Sequence, residues 1–263
     1  MAHAEAGVAE AIKLLREGCE SYRFEPVAIF KRSGDHPWPV TASDELDLET
    51  QLSNGGHFLP LPREPAALAN VIEVAIVDFL IGQLQGKQNV SVTRGTERGY
   101  PDVELQLGEE YFAVDVKVAR RGVTKMGKLT GRTDSRITLY TGNTFFLHPT
   151  IHWPGTFRPF DAYRGHIDIV ALYTLDVLSP TRVSDFELIV AEPWRIGSRH
   201  RSSTTREYLG AVQEIDRLRN ETGDFKTQAE FYAYWRRHPW KIGKAVQKML
   251  LKLSAQAAKS KDA

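Results

Sequence analysis

Apolar residues recur at helical spacing near the start of the chain. Val8, Ile12, Leu14 and Leu15 stand among Ala and Glu, which predicts a helix over 4–20. Residues 33–65 carry Pro37, Pro39, Pro60, Pro62 and Pro65 among Gly, Asp and Ser, so this stretch reads as mostly irregular, with room for a short strand or ribbon. Pro65 then opens a second helix running to Gln85. Its stripe of Leu68, Val71, Ile72, Ala75, Ile76, Phe79 and Leu80 is wide enough to mark a core helix. After Gly86 the period drops to two. Asn89–Thr93, Val103–Leu107 and above all Tyr111–Val118 alternate as strands do, and 137–147 is apolar and β-branched. His166–Leu175 is nearly all apolar and reads as a central strand, with Glu187–Ala191 another. Residues 119–136 and 195–206 read as polar loops, and Glu207–Asn220, Thr227–Arg237 and Lys241–Ala258 as helices. Strands and helices mix without a linker, so the expectation is one α/β domain over 1–263.

Composition adds little to that picture except in its charge. A chain of 263 residues with 42% hydrophobic and 25% charged residues excludes wholesale disorder. There is no run of about 18 apolar residues and no signal-peptide pattern at the N-terminus, so a cytoplasmic protein without a membrane span is expected. The one cysteine, Cys19, allows neither an internal disulfide nor a cysteine-built zinc site. The net charge of +1 hides an asymmetry: residues 1–92 hold seven Lys and Arg against thirteen Asp and Glu, and the remainder is basic. The basic excess gathers in Lys117–Arg136, Trp194–Arg206 and Arg236–Lys261, and three such runs point to a polyanionic partner.

The chemistry lies in Tyr100–Val118. Along the strongest strand, Phe112, Val114, Val116 and Val118 share an apolar face, while Tyr111, Ala113, Asp115 and Lys117 share the other. A two-residue turn at Gly108-Glu109, with Gly first as a type II′ turn prefers, sets Val103 opposite Val114 and Leu105 opposite Phe112. The same register brings Asp102 opposite Asp115, and a slip of one residue would break both agreements. Two carboxylates within about 5 Å call for a cation. Oxygen-only ligands suit a hard ion, hence Mg²⁺, with Mn²⁺ expected to substitute. Such an ion polarises a phosphate oxygen and lowers the pKa of a bound water. Lys117 beside it can stabilise the developing negative charge or help deprotonate the water. The combination is phosphodiester hydrolysis.

Pro101-Asp102 with Asp115-Val116-Lys117 resembles the PD-(D/E)xK nuclease motif, and the wider chain resembles the EcoRV-like type II restriction endonucleases. Short matches recur in order: Tyr100-Pro-Asp, Ala113-Val-Asp-Val-Lys117, Ile137-Thr-Leu139, Pro159-Phe-Asp-Ala-Tyr163, Tyr173-Thr174, Thr204-Thr205, and Glu230-Phe with Tyr234-Trp-Arg236. The resemblance implies a restriction-endonuclease-like mixed β-sheet flanked by helices, in a U-shaped homodimer around double-stranded DNA. It implies cleavage of both strands at a short palindrome, leaving 5′-phosphates, with Asp102, Asp115 and the acidic helix residue Glu73 as metal ligands and catalytic residues, and Lys117 as the catalytic lysine. An N-terminal dimerisation part (about 1–65), a basic C-terminal helix (about 241–258) and a separate cognate DNA methyltransferase belong to the same expectation.

Two loops would then face the DNA. One holds Arg94, Glu97 and Arg98; the other, resembling the family's major-groove loop, holds Ser198, Arg199, His200, Arg201, Ser202, Ser203, Thr204 and Thr205. The second loop is shorter than the family pattern, lacks its asparagine and internal glycines, and carries Arg199, His200 and Arg201. Since arginine reads guanine O6 and N7, a target containing G·C pairs is expected. Arg136, Asn143 and Thr144 are phosphate candidates by resemblance. His148 and His152 have zinc-like spacing, but Pro149 and Pro154 deny them a helix, so they read as loop histidines. The aromatic run 231–235 reads as a packing face. Three rival readings are a structure-directed repair or recombination nuclease of the same fold, a DNA-binding regulator with inert carboxylates, and a dimeric structural protein with a basic face.

Overall fold

The computed structural model describes residues 2–26, 28–31, 46, 57–96 and 99–259. Helix α1 (Ala2–Glu20) is followed by an antiparallel pair of short strands, β1 (Ala28–Lys31) and β2 (His57–Pro60). Helix α2 (Pro65–Leu84) begins at Pro65, as expected, and its first amides are capped by the Glu64 carboxylate at 2.7 and 3.0 Å. By length and hydropathy α2 could cross a bilayer. Here it is a core helix, burying Leu68, Val71, Ile72, Ile76, Val77, Leu80 and Leu84, each worth about 1.5–3 kcal/mol.

The central sheet runs β3 (Val90–Arg94), β4 (Val103–Leu107), β5 (Glu110–Val123), β8 (Gly165–Leu175), β9 (Val183–Ala191). Its pairings are antiparallel except β5 with β8, which are parallel. The β4–β5 register is the expected one, with Val103 opposite Val114 and Leu105 opposite Phe112. Gly108 turns the corner at φ +59°, where a Cβ would be strained. One sheet face packs Val103, Leu105, Phe112, Val114, Val116, Ile167 and Ile169 against α1 and α2. The other packs Ala113, Val170, Leu172 and Ala191 against a second, aromatic core containing Phe146, Phe160, Phe231 and Trp235. Mixed sheet and flanking helices fit the restriction-endonuclease fold.

Several local expectations are corrected. Residues 119–136 are not a loop: β5 continues to Val123 and returns as β6 (Leu129–Thr133), with Arg121 opposite Thr133. The 137–147 segment is a strand only to Thr141, as β7 (Thr138–Thr141), and then closes into a π-helical turn, Gly142–Phe146. The loop expected over 195–206 holds α3 (Pro193–Ile196) and β10 (Gly197–Arg201). Glu207–Asn220 is not one helix but β11 (Tyr208–Ala211) followed by the short α4 (Ile215–Arg219). Strand β11 pairs with β10 on one side and β7 on the other, making a small second sheet. Helices α5 (Gln228–Arg237) and α6 (Lys244–Lys259) complete the chain, α6 starting later than the expected 241. Phe231 and Trp235 of α5 are buried, so the aromatic run does pack.

Candidate active site

Asp115 and Lys117 lie two positions apart on β5, on the face turned away from α1. Asp102 stands just before β4, and the backbone N–H of Val116 donates to its Oδ2 at 2.7 Å. Lys117 Nζ donates to Asp115 Oδ2 and forms an ion pair with it. Together with Glu73 from α2, these side chains line a cleft of about 400 Å³. Gly99, Tyr100, Pro154 and Thr156 form one wall; Thr138, Leu139, Tyr140 and Thr141 of β7, with Phe145 and Tyr208, form the other. The four residues that sequence reasoning put in the reaction therefore share one cleft.

Its electrostatics are those of too many acids for one ammonium. Burial, with the neighbouring Asp115, pushes the Asp102 carboxyl up to about 9. Burial also raises Glu73, against the opposing pull of Lys117. For Lys117, burial works against the charge, but Asp115, Asp102 and Asp168 together outweigh it and hold the proton above the ordinary lysine range.

Among the described residues, no three His, Cys, Asp or Glu side chains are gathered closely enough to encircle a metal ion. The donor set nonetheless fits a hard divalent cation. Octahedral Mg²⁺ takes one or two carboxylates and keeps several waters. Asp102 and Asp115 offer such a pair, short of positive charge and open to the cleft.

Behind the cleft, Tyr100 hydroxyl donates to His166 Nδ1 at 2.6 Å, and His166 Nε2 donates to the Phe160 carbonyl at 3.1 Å. Burial lowers the His166 pKa to about 3, so the ring stays neutral and acts as a spacer beneath Tyr100. Two features were missed in the sequence. Arg158 makes a two-pronged bond to buried Glu104, at 2.6 and 2.9 Å, and its guanidinium lies 3.5 Å from the Tyr111 ring centroid. Tyr163 hydroxyl also donates to Glu104, at 3.1 Å. Glu104 shares the Asp102 face by strand alternation, the one signal that pointed to it. The second feature is Asp168, fully buried in β8.

The expected DNA-facing residues fall into different settings. Arg94 is paired with Asp78 of α2. Glu97 and Arg98 lie outside the described residues. Arg136 Nη1 donates to Ser198 Oγ at 2.9 Å and to the Ala211 carbonyl at 2.8 Å, tying β10 to β11. Asn143 is buried and donates to the Lys241 carbonyl at 3.0 Å, while Thr144 Oγ1 bonds the Thr141 carbonyl at 3.3 Å. Ser198 is buried, donating to Asp224 at 3.2 Å. Arg199 pairs with Glu230 at 2.6 Å and lies over Phe225 and Tyr234, and Arg201 pairs with Glu207 at 3.0 Å. Ser202 bonds Thr138 of β7 at 2.8 Å, and the Ser203 hydroxyl accepts the amides of Thr205 and Arg206. His200, Thr204, Thr205 and Arg206 are exposed. His148 and His152 sit in irregular chain, as expected.

A mixed sheet carrying two carboxylates and a lysine on one hairpin face is the arrangement expected of the nuclease motif that the sequence resembles. The family described as restriction endonuclease EcoRV matches residues 36–257, well over half the chain, and the chain belongs to that family. No curated protein matches it significantly. Membership makes it one of a family of DNA-cleaving hydrolases that act on double-stranded DNA and generally use divalent metal ions.

Proposed function

We propose that the protein is a type II restriction endonuclease that hydrolyses double-stranded DNA at a short palindrome and leaves 5′-phosphates. The observation that carries this reading is the convergence of Asp102, Asp115 and Lys117, with Glu73, in one cleft of a chain belonging to the EcoRV family. Asp102 and Asp115 would hold Mg²⁺, or Mn²⁺ in its place, with Glu73 at the cleft wall. The bound cation supplies Lewis acidity toward the scissile phosphate and an acidified water. The chain's own contribution is positional. The Val116 amide fixes the Asp102 carboxyl at 2.7 Å. The Lys117 ammonium donates to the phosphate oxygens where negative charge builds up.

Among the described residues each protomer holds one such set of carboxylates and lysine, so cutting both strands takes two copies, and a twofold dimer matches a palindromic site. The dimer would close around the duplex in a U, with the segment before residue 65 at its interface. His200, Thr204, Thr205 and Arg206 are the exposed tip that reaches base edges. Arg199 and Arg201 reach them only by leaving Glu230 and Glu207, and otherwise set the shape of the loop. Arg94 reaches DNA only by leaving Asp78, and Glu97 and Arg98 stay candidates by sequence alone. Arg136, Asn143 and Ser198 stiffen the support beneath the backbone contact, beside Thr144, Ser202 and Ser203. A chain that cuts duplex DNA by sequence in the cytoplasm needs a separate cognate methyltransferase to protect host sites.

The test is incubation with phage DNA and Mg²⁺ beside the Asp115→Ala variant. Discrete fragments that vanish in the variant support the reading, and end-sequencing gives the site. A smear points instead to a relaxed or structure-directed nuclease. Shifted DNA mobility without cleavage in both proteins would overturn the enzymatic reading.

A further inference from the structure

Asp168 is the single acid of β8, within the run His166–Leu175. The parallel ladder sets it directly beside Asp115, and sets Val170 beside Lys117. Paired residues on neighbouring strands project to the same face. Asp168 therefore lies on the cleft face of the sheet, one strand inward from Asp115, with Ala191 of β9 on its other flank. It is fully buried, and neither carboxyl oxygen has a hydrogen-bond partner among the described residues. It is not among the residues that line the cleft.

Folding alone gives no reason for this acid. A buried polar group left unpaired costs about 1–3 kcal/mol, and Val170 and Leu172, on the same face of β8, show that an apolar side chain suits that face. What does lie within reach is Lys117. Diagonal neighbours on one sheet face stand about 7–8 Å apart at Cα, a gap that a long side chain spans. The Lys117 ammonium has three N–H donors, and one of them goes to Asp115.

We propose that Asp168 is a positioning residue that takes over the Lys117 ammonium when a divalent cation draws the Asp115 carboxylate to itself. The inference rests on the nuclease reading above. In the resting protein Asp115 holds the lysine. With a cation bound, that carboxylate turns to the metal, and a lysine with no second acceptor would swing among its rotamers. Asp168 gives it an acceptor from below, so the ammonium keeps its place at the scissile phosphate. Asp168 touches neither DNA nor cation in this role.

The experiment compares wild type with Asp168→Leu, which removes the acceptor, and Asp168→Asn, which keeps a neutral one. Asp168→Val serves as a second removal should leucine not fit. Lys117 labelling by an amine-reactive reagent is read by mass spectrometry, with and without Ca²⁺ as the probe cation. Lys117 of wild type is expected to stay protected in both conditions, and in Asp168→Leu to become several-fold more reactive on adding Ca²⁺. In Mg²⁺-dependent cleavage, Asp168→Leu should lose at least about tenfold in kcat with KM nearly unchanged, as misplacement of a positioned group does, and Asp168→Asn should recover most of it. Unchanged labelling and kcat in Asp168→Leu, beside an active wild type, overturn the inference alone. A wild type that neither cuts DNA nor responds to Ca²⁺ overturns the nuclease reading and the inference together.

Discussion

Replacing Asp102 by Asn should make the protein more stable, by an amount that depends on pH. The Asp102 carboxyl is held at about 9 by burial and by Asp115, against 3.8 for an ordinary aspartate. An acid whose pKa is raised by folding keeps its proton when the unfolded chain has already released it. Stability is therefore unaffected below the lower value, falls as pH climbs between the two, and levels off above the higher. Each unit in that window costs the folded state up to about 1.36 kcal/mol, so the ceiling near pH 7 is about 4 kcal/mol. Lys117 opposes the shift, which brings the expected gain for Asp102→Asn down to about 1–2 kcal/mol, or about 3–6 °C in Tm for a domain of this size. The asparagine carbonyl can still accept the Val116 amide, so no bond is lost. The assay is thermal melting of both proteins in EDTA near pH 5, 7 and 9, and again with Mg²⁺. The advantage of the variant should be small near pH 5 and grow toward pH 9. Mg²⁺ should cancel or reverse it, because a ligand that binds only the folded wild type raises that protein's Tm. A Tm difference that is flat with pH, or a variant less stable throughout in EDTA, would refute the assignment of the cost to the buried carboxyl.

Other predictions concern the supports of the cleft and the tip that reads DNA. Glu104→Ala leaves Arg158 stacked on Tyr111 without its carboxylate; with Arg158 still partly solvated, the cost should be about 2 kcal/mol, read as a fall in denaturation midpoint, and an unchanged midpoint would show the pair to be idle. Gly142→Ala points a methyl into the Trp240 ring and should expel that ring, seen as a red shift in tryptophan emission together with a lower Tm. A wild-type-like emission spectrum would mean the chain yields elsewhere. Mapping fragment ends should return a target containing G·C pairs where His200, Arg206 and their neighbours reach; a site made only of A·T pairs would sink that expectation.

The hairpin that carries Asp102, Asp115 and Lys117 was legible because two local signals agreed. The alternation of Phe112, Val114 and Val116 fixed which face turns inward, Gly108 fixed the turn, and together they set the Asp102–Asp115 juxtaposition. Where one signal imitated another, the reading failed. Leu209, Val212, Ile215 and Leu218 recur every three residues and are all buried, which reads as a helix. The chain achieves that burial with a strand, a bend and one helical turn instead. β10, Gly-Ser-Arg-His-Arg, has no apolar alternation because its order comes from ladder bonds to β11 and from Arg136 and Asp224 beside Ser198. Asp168 went unnoticed because its meaning lies in the β5–β8 register. A parallel pairing across a long crossover is not fixed by any turn, so the sequence around Asp168 shows only one acid in an apolar strand.

Strand β11 is shared property. One edge carries the hairpin whose tip would meet the bases; the other is bonded to β7, whose Thr138–Thr141 wall the cleft. A tip displaced by a mismatched base would pull on the wall through a few ladder bonds, without any intervening hinge. Discrimination would then show itself in turnover more than in retention on DNA. For anyone seeking to retarget such an enzyme, the consequence is practical: a tip exchanged alone arrives with the wrong tension on the cleft, and the unit to transplant is β7, β10 and β11 together.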